Sequence, residues 1–298
     1  MQNASNRRLF KSRILVGLLG LMLCAPSLSL GWGAGGHMIV ASIAFKRLNS
    51  HAKAQAVALL ARPINPTAIT AKDMDFVNAA HWADDLRPIA AFNSFRELHF
   101  IDTPFSDDGT TLPAVPTPNI VTALEEQVNI LKTSTDKDAQ AQALRFIIHF
   151  VGDIHQPLHC ATRVSSALPN GDRGGNSVSI KVAGKTTNLH SYWDGGIGSF
   201  PKTGANFAPP PLSQIGPAAA TAMAGNPATD PKIKLDDPTN FAAWADESFA
   251  LAKSTAYKGM KNGVTPSASY NSKALKVARQ RVAWGGYRLA ALLNSIWP

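Results

Sequence analysis

The sequence predicts a mainly α-helical single domain that carries one small β-hairpin. Apolar residues recur at helical spacing through most of the chain. One short stretch alternates around a glycine turn instead, and two further stretches are rich in proline. Taken in order, the helical period runs through HMIVASIAFKRL (37–48), AKAQAVALLA (52–61) and VTALEEQVNILK (121–132). It continues through residues 139–154, FAAWADESFALAKS (241–254) and the C-terminal residues 272–297. SVSIKV, AGKT and TNL (177–189) read as the hairpin with its turn. The proline-rich stretches at 104–118 and 208–231 read as long surface loops inside one domain. No internal repeat is present.

Residues 1–31 read as a leader rather than as part of the fold. Arg7, Arg8, Lys11 and Arg13 form a basic start, ILVGLLGLML (14–23) is an apolar run, and Ser29 and Gly31 stand where a signal peptidase cuts. The run is too short to span a membrane, and no later run is long enough to do so. Leu23 before Cys24 argues against a lipoprotein signal, while the paired arginines leave twin-arginine export open beside the general route. Cleavage after Gly31 leaves one domain, residues 32–298, placed outside the cytoplasm, secreted or periplasmic.

The formal charge of the full chain is +9, four units of it on the leader cations. A basic secreted chain suits polyanionic partners such as nucleic acid or phospholipid, although charge alone does not choose a function. Cys160 is the single cysteine left after cleavage, so the domain holds no internal disulfide. Bound metal is the natural alternative staple.

Metal-ligand chemistry concentrates in HFVGDIHQPLHC (149–160). His149 and Asp153 lie four residues apart at the end of an apolar helix, so both project from one face. Pro157 stops that helix, and the chain turns to present His159. NLHSYWD repeats the pattern with His190 and Asp194. One such pair is weak evidence, because His–Asp contacts at this spacing are common on surfaces; two pairs with a third histidine nearby are stronger. WADDLR adds Asp84, LHFID adds His99 and WGAGGH adds His37. If Trp32 is the mature N-terminus, its α-amino group and carbonyl oxygen form a chelate beside His37.

WGAGGH, WADDLR, HFID, HFVGDIHQPLH, GGN (174–176) and NLHSYWD occur in one order between residues 32 and 194. In that order and spacing the chain resembles the zinc-dependent, single-strand-specific nuclease/3′-nucleotidase (type I) family of fungi, plants and bacteria. W…ES and RLAALLN extend the likeness into the C-terminal helices. The resemblance implies the helical phospholipase C/nuclease-type fold and three Zn²⁺ ions. Asp84, His99 and His149 would hold the first ion, with Asp153 bridging to a second. Trp32 and His37 would complete that second site, and His159, His190 and Asp194 would hold the third. A bridged zinc pair supplies hydroxide at neutral pH, and a third zinc stabilises the leaving oxygen.

The resemblance also casts Asp84 and Arg87 as catalytic, the guanidinium facing the phosphate. Phe100, Asp102 and Asn176 would take the base on the 5′ side of the cut. Stacking on Phe100 needs an unpaired base, which favours single strands. The implied activity is endonucleolytic hydrolysis of single-stranded DNA and RNA to 5′-phosphorylated products, with 3′-nucleotides as further substrates. Lack of paired cysteines and of an Asn-X-Ser/Thr sequon after residue 31 resembles the bacterial members.

Other readings stand beside these. His155 lies off the ligand face and reads as structural, His51 and His81 match no motif position, and Asp85 and Asp172 read as solvated or supporting carboxylates. Trp82 and Trp193 read as core, and Cys160 as an inert buried thiol. Asp102 could equally orient Arg87 through an ion pair. A zinc-dependent phospholipase C shares the three-zinc design and an N-terminal tryptophan ligand. However, it places its first histidine farther from that tryptophan and ends on a glutamate, where this chain has His37 and Asp194. A non-catalytic, zinc-stabilised nucleic-acid-binding module is the remaining alternative; its metal sites would have to be closed. Oligomeric state is not legible from the sequence.

Overall fold

The computed structural model describes residues 32–63, 75–204 and 208–298. The leader reading falls on residues 1–31, outside the described residues. Three helices form the axis of the domain: α1 (Ala34–Phe45), α5 (Lys137–Asp153) and α9 (Ala268–Ile296). Each is buried on every side over part of its length: Gly35–Ala44 of α1, Ala143–Asp153 of α5 and Arg281–Ala290 of α9. A helix without an exposed face must lie inside a layer of others, and these three pack on one another. Phe146, Ile147, Ile148, Phe150 and Val151 of α5 are fully buried. Each such side chain contributes roughly 1.5–3 kcal/mol of burial free energy.

Around the axis lie α2 (Ser50–Leu60), α4 (Ile120–Thr133) and α8 (Phe241–Leu251). Polar caps start several of these helices. The Asn49 side chain accepts from Ala52 N, Asp136 accepts from Asp138 N, and Asn119 and Thr122 cap α4 reciprocally. At the far end of α2, Arg145 donates to the carbonyls of Leu60 and Arg62 at 3.0 and 3.2 Å, satisfying groups the helix leaves open.

The expected loop at 208–231 is corrected, because Leu212–Ala224 forms helix α7 with Pro217 inside it. Ile215, Ala219 and Ala222 are buried against α1 and α9. That burial and the alanine-rich second half outweigh the hydrogen bond lost at the proline. The loop expected from residue 104 also begins as a strand. β1 (Pro104–Ser106) pairs in parallel with β2 (Thr162–Val164). A three-residue strand that pairs in parallel across the chain has no local sequence period to reveal it. The segment Ala90–His99 is a 3₁₀ helix.

The hairpin forms where the alternation predicts it, as β3 (Ser179–Val182) and β4 (Lys185–Asn188). Ala183 and Gly184 join them with φ of 49° and 76°, as a two-residue type I′ turn requires. A smaller apolar cluster lies beneath the hairpin and includes Leu158, Ile180, Leu189, Trp193 and Tyr257. It supports the short helices α3 (Trp82–Asp85) and α6 (Leu189–Asp194) only in part: α6 sits on it, whereas α3 packs against α5.

Candidate metal centre

The C-terminal end of α5 places His149 and Asp153 on one face, both fully buried, with His149 Nε2 3.0 Å from Asp153 Oδ2. His99, at the end of the 3₁₀ segment, brings its Nδ1 to 2.9 Å from the same oxygen and 3.1 Å from His149 Nε2. Asp84 of α3 completes this group, with Oδ1 3.7 Å from His149 Nε2 and 3.8 Å from His99 Nδ1. His37 of α1 approaches from the other side, its Nε2 3.3 Å from Asp153 Oδ1 and its ring stacked on His149 at 3.9 Å. Gly152 makes that approach possible: a Cβ there would lie 2.6 Å from His37 Nδ1.

A third group gathers His159, His190 and Asp194. His190 Nε2 lies 3.5 Å from Asp194 Oδ1, and Gln156 Nε2 donates to that oxygen at 2.7 Å. Thus Asp84–His99–His149, His37–His149–Asp153 and His159–His190–Asp194 each bring three ligand atoms within 4.8 Å of one another, all on buried residues. Trp32 is fully buried and packs on Phe200, and the next residue, Gly33, donates its N–H to the Asp194 carbonyl at 3.0 Å. The start of the domain is thereby tied to the third group.

Backbone carbonyls settle the histidine tautomers. Nδ1 of His149, His159 and His190 lies 2.7 Å from the carbonyls of Ala80, His99 and Gly174 respectively. Each Nδ1 must therefore donate, which leaves Nε2 as the lone-pair atom facing the cluster. The Nε2 atoms of His37, His159 and His190 and the Oδ1 atoms of Asp84 and Asp153 are buried without any hydrogen-bond partner. Orphaned buried acceptors are costly in a folded protein, and five converging on one place fit bound cations. The nitrogen and oxygen donor set suits zinc in particular.

Within the chain alone the groups of this cluster are shifted in both directions. Burial opposes charge on His149, but Asp153 and Asp84 more than offset it and push the ring up to about 9. Burial pushes His99 down to about 4. Asp153 is buried too, yet His149, His159 and His37 hold its carboxyl well below the usual range. Asp194 has fewer cationic neighbours, and burial drives it well above that range despite the Gln156 bond.

Arg87 Nη2 stands 2.8 Å from Asp84 Oδ1 in an ion pair that lacks hydrogen-bond alignment. The carboxylate that orients Arg87 is therefore Asp84; among the described residues no ion pair joins Arg87 to Asp102. Asp102 is instead half-buried near Glu97 and Asp172, and burial first, then those two acids, push it up to about 6. Phe100 is half-buried just beyond His99. Asn176 donates Nδ2–H to the Arg173 carbonyl at 2.8 Å, while its buried Oδ1 has no partner.

Several neighbours of the ligands play other parts. His155 faces α9, with Nδ1 2.8 Å from the Val151 carbonyl and Nε2 3.0 Å from Arg288. Asp85 contacts His81 at 2.6 Å, His51 lies at the Pro298 carbonyl, and Trp82 and Trp193 are fully buried. Cys160 is buried, its thiol pushed up to about 12 by burial.

One supporting residue, Gln156, escaped the sequence, and Asp172 takes the supporting part of the two the sequence left open for it. Gln156 braces Asp194, and its one sequence signal is a position before Pro157 that suits a cap. Asp172 holds the 172–177 turn by accepting from Arg163 N, Gly175 N and the Tyr257 hydroxyl. That turn delivers both the Gly174 carbonyl and Asn176, and no local pattern announces it.

Comparison with known proteins agrees with this geometry. The model of the S1/P1 nuclease family matches residues 32–298. Nuclease S1 of Aspergillus oryzae is 30% identical over 294 residues, spanning 92% of this chain and 94% of its own length. Endonuclease 2 of Arabidopsis thaliana is 30% identical over 293 residues, spanning 93% and 94%. Nuclease P1 of Penicillium citrinum is 27% identical over 283 residues, spanning 89% and 97%. With the domain matched from Trp32 to its last residue and such relatives aligned over nearly their whole length, the chain belongs to the S1/P1 nuclease family.

Proposed function

We propose that the chain is a secreted or periplasmic zinc-dependent phosphodiesterase with three Zn²⁺ ions. In this reading it cuts single-stranded DNA and RNA endonucleolytically, leaves 5′-phosphorylated products and also hydrolyses 3′-nucleotides. The observation that carries the reading is the convergence of five partnerless buried donor atoms in three His/Asp groups beside Arg87. Asp84, His99 and His149 would hold one ion, Asp153 would be shared with a second that His37 and Trp32 would complete, and His159, His190 and Asp194 would hold the third. When bound, zinc supplies Lewis acidity and a nucleophile active at neutral pH.

The remaining chemistry belongs to the chain's own residues. Arg87, fixed by Asp84, offers a guanidinium to phosphate oxygens whose charge grows in the transition state. Phe100 supplies a face for an unpaired base, and Asp102 and Asn176 Oδ1, which has no hydrogen-bond partner within the chain, accept from its edge. The carbonyls of Ala80, His99 and Gly174 keep three Nε2 lone pairs aimed inward. Among the described residues no helix is long and apolar enough to cross a membrane.

The test is hydrolysis by the metal-counted protein, its N-terminus sequenced, on four substrates: single-stranded DNA, RNA, a 3′-nucleotide and a choline phospholipid. Release of 5′-phosphorylated fragments, abolished by a chelator and restored by zinc, is the expected result. Turnover of the phospholipid alone overturns it in favour of a phospholipase. Strand binding without cleavage from pH 5 to 9 overturns it in favour of a binding module.

A further inference from the structure

The charge of this domain is distributed unevenly, and that unevenness has a place in the fold. From Gly174 to Trp193 and from Ala252 to Pro298 the sequence contains no Asp or Glu. Two basic residues of the second stretch, Arg281 and Arg288, are buried and paired with Glu247 at 2.9 and 2.7 Å. Lys181, Lys185, Lys253, Lys258, Lys261 and Lys273 are exposed instead, and among the described residues none has an ion-pair partner. Two acids come near: Asp107 stands 3.7 Å and Asp172 3.8 Å from Arg163, which lies over the Tyr257 ring.

The fold brings these separate stretches side by side. Lys181 N donates to the Val264 carbonyl at 2.9 Å, and Gly263 N donates to the Ser179 carbonyl at 2.9 Å, so the turn holding Lys261 runs along β3. Ser179, three residues along the chain from Asn176, donates its N–H to Asn262 Oδ1. The Tyr257 hydroxyl bonds Asp172 at the root of the same turn, and Lys258 follows it. The Tyr270 hydroxyl bridges the Ala256 carbonyl and Trp193 Nε1, which sets the start of α9, with Lys273, against α6. All these segments cover the smaller apolar cluster.

We infer that this lysine-rich face is a docking track for the sugar-phosphate backbone of a single-stranded polynucleotide. It continues from the base pocket at Asn176 over the hairpin and the 253–261 segment, beyond the nucleotides next to the cut. The inference deepens the nuclease reading and rests on it for its substrate class. A line of unpaired lysines attracts phosphates by counterion release and without sequence preference. A dinucleotide is too short to use the track, whereas a long strand covers it.

Binding and cleavage are measured separately on the zinc-loaded protein, with a long labelled oligothymidylate and with a dinucleotide. The variant is Lys181→Glu with Lys261→Glu, and Lys181→Gln with Lys261→Gln guards against misfolding by charge reversal. The expected result is long-strand binding and KM weaker by about ten-fold in the Glu pair, and by less in the Gln pair, with dinucleotide turnover unchanged. The slope of log affinity against log salt should fall by about 0.7 for each phosphate that a lysine no longer neutralises. Equal long-strand affinity and salt slope in wild type and folded variants overturns the track. So does loss of binding to phosphatidylserine vesicles in place of the strand. If wild type cleaves neither substrate, the nuclease reading fails, and the binding comparison still judges the track.

Discussion

The two His–Asp pairs at i, i+4 share one sequence spacing and differ in almost everything that makes them rigid. His149 and Asp153 end a 17-residue helix that is buried on all sides from Ala143 onward within the larger core. His190 and Asp194 sit on a six-residue helix, too short to hold itself, over the smaller cluster. The first pair inherits its geometry from the helix; the second receives it from hydrogen bonds to distant chain. Gly174 fixes His190, Gln156 fixes Asp194, and Tyr270 anchors Trp193 between them. Their charge states diverge too, since His37, His99, His149 and His159 surround Asp153 while Asp194 lies buried with little compensation. An identical local motif can thus be built from within an element or assembled from outside it, and the second kind fails when remote contacts are cut.

The sharpest way to break the comparison is to neutralise each carboxylate. Asp153→Asn removes a group that faces both His149 and His37, and the loss of several kcal/mol of metal-borne stabilisation corresponds to a kcat fall on the order of a thousand-fold. Metal counting should show two ions weakened. Asp194→Asn should weaken one ion and slow turnover by roughly a hundred-fold. Near-normal turnover in Asp153→Asn, or equal metal loss in the two variants, would remove the bridging role.

A milder pair of changes leaves every ligand in place. A Cβ on Gly174, whose φ is +61°, would meet the Leu158 carbonyl at 2.3 Å and displace the acceptor of His190. Gly174→Ala should therefore weaken the third ion by about ten- to a hundred-fold. Gly152→Ala sits in a helix, where alanine stabilises by roughly 0.5–1 kcal/mol, and its clash is with the His37 side chain rather than with backbone. Its effect on metal affinity, read by chelator competition, should be the smaller of the two. The reverse order would show that α5 is the more fragile scaffold.

The smallest effect concerns Asp102, beside the centre. Its folded pKa of about 6 lies above the ordinary carboxylate value of 3.8. Ionisation therefore costs native stability: the cost is absent below about pH 4, grows as pH rises and is complete above about pH 6. Asp102→Asn should raise stability by about 1–2 kcal/mol at pH 7, after allowance for partial exposure, and change little at pH 4. Equal Tm gains at both pH values would contradict this. Weaker binding of single-stranded substrate should accompany the gain.

The same contrast explains what was legible in advance. His149–Asp153 and His190–Asp194 could be seen because helical spacing is a local property that survives in sequence. His155 could be set aside for the same reason, and its ring indeed faces α9. The helix in 212–224 was hidden by Pro217, and the parallel β1–β2 pairing by its non-local register. Arg87 could be named as the basic group, but its partner Asp84 rather than Asp102 emerged only from the folded geometry.

By itself the sequence determined the helical class, the hairpin, the ordered set of ligand-bearing motifs and the excess of basic charge, all of them properties of residue type and short-range period. Only the tertiary structure decided how closely the candidate ligands converge, which carbonyls set the histidine tautomers, what Gln156 and Asp172 support and where the unpaired lysines gather. These depend on contacts between segments far apart in the chain, such as His149 with Ala80 or Lys181 with Val264. Such contacts are chosen by the packing of the whole core, and no local pattern encodes them.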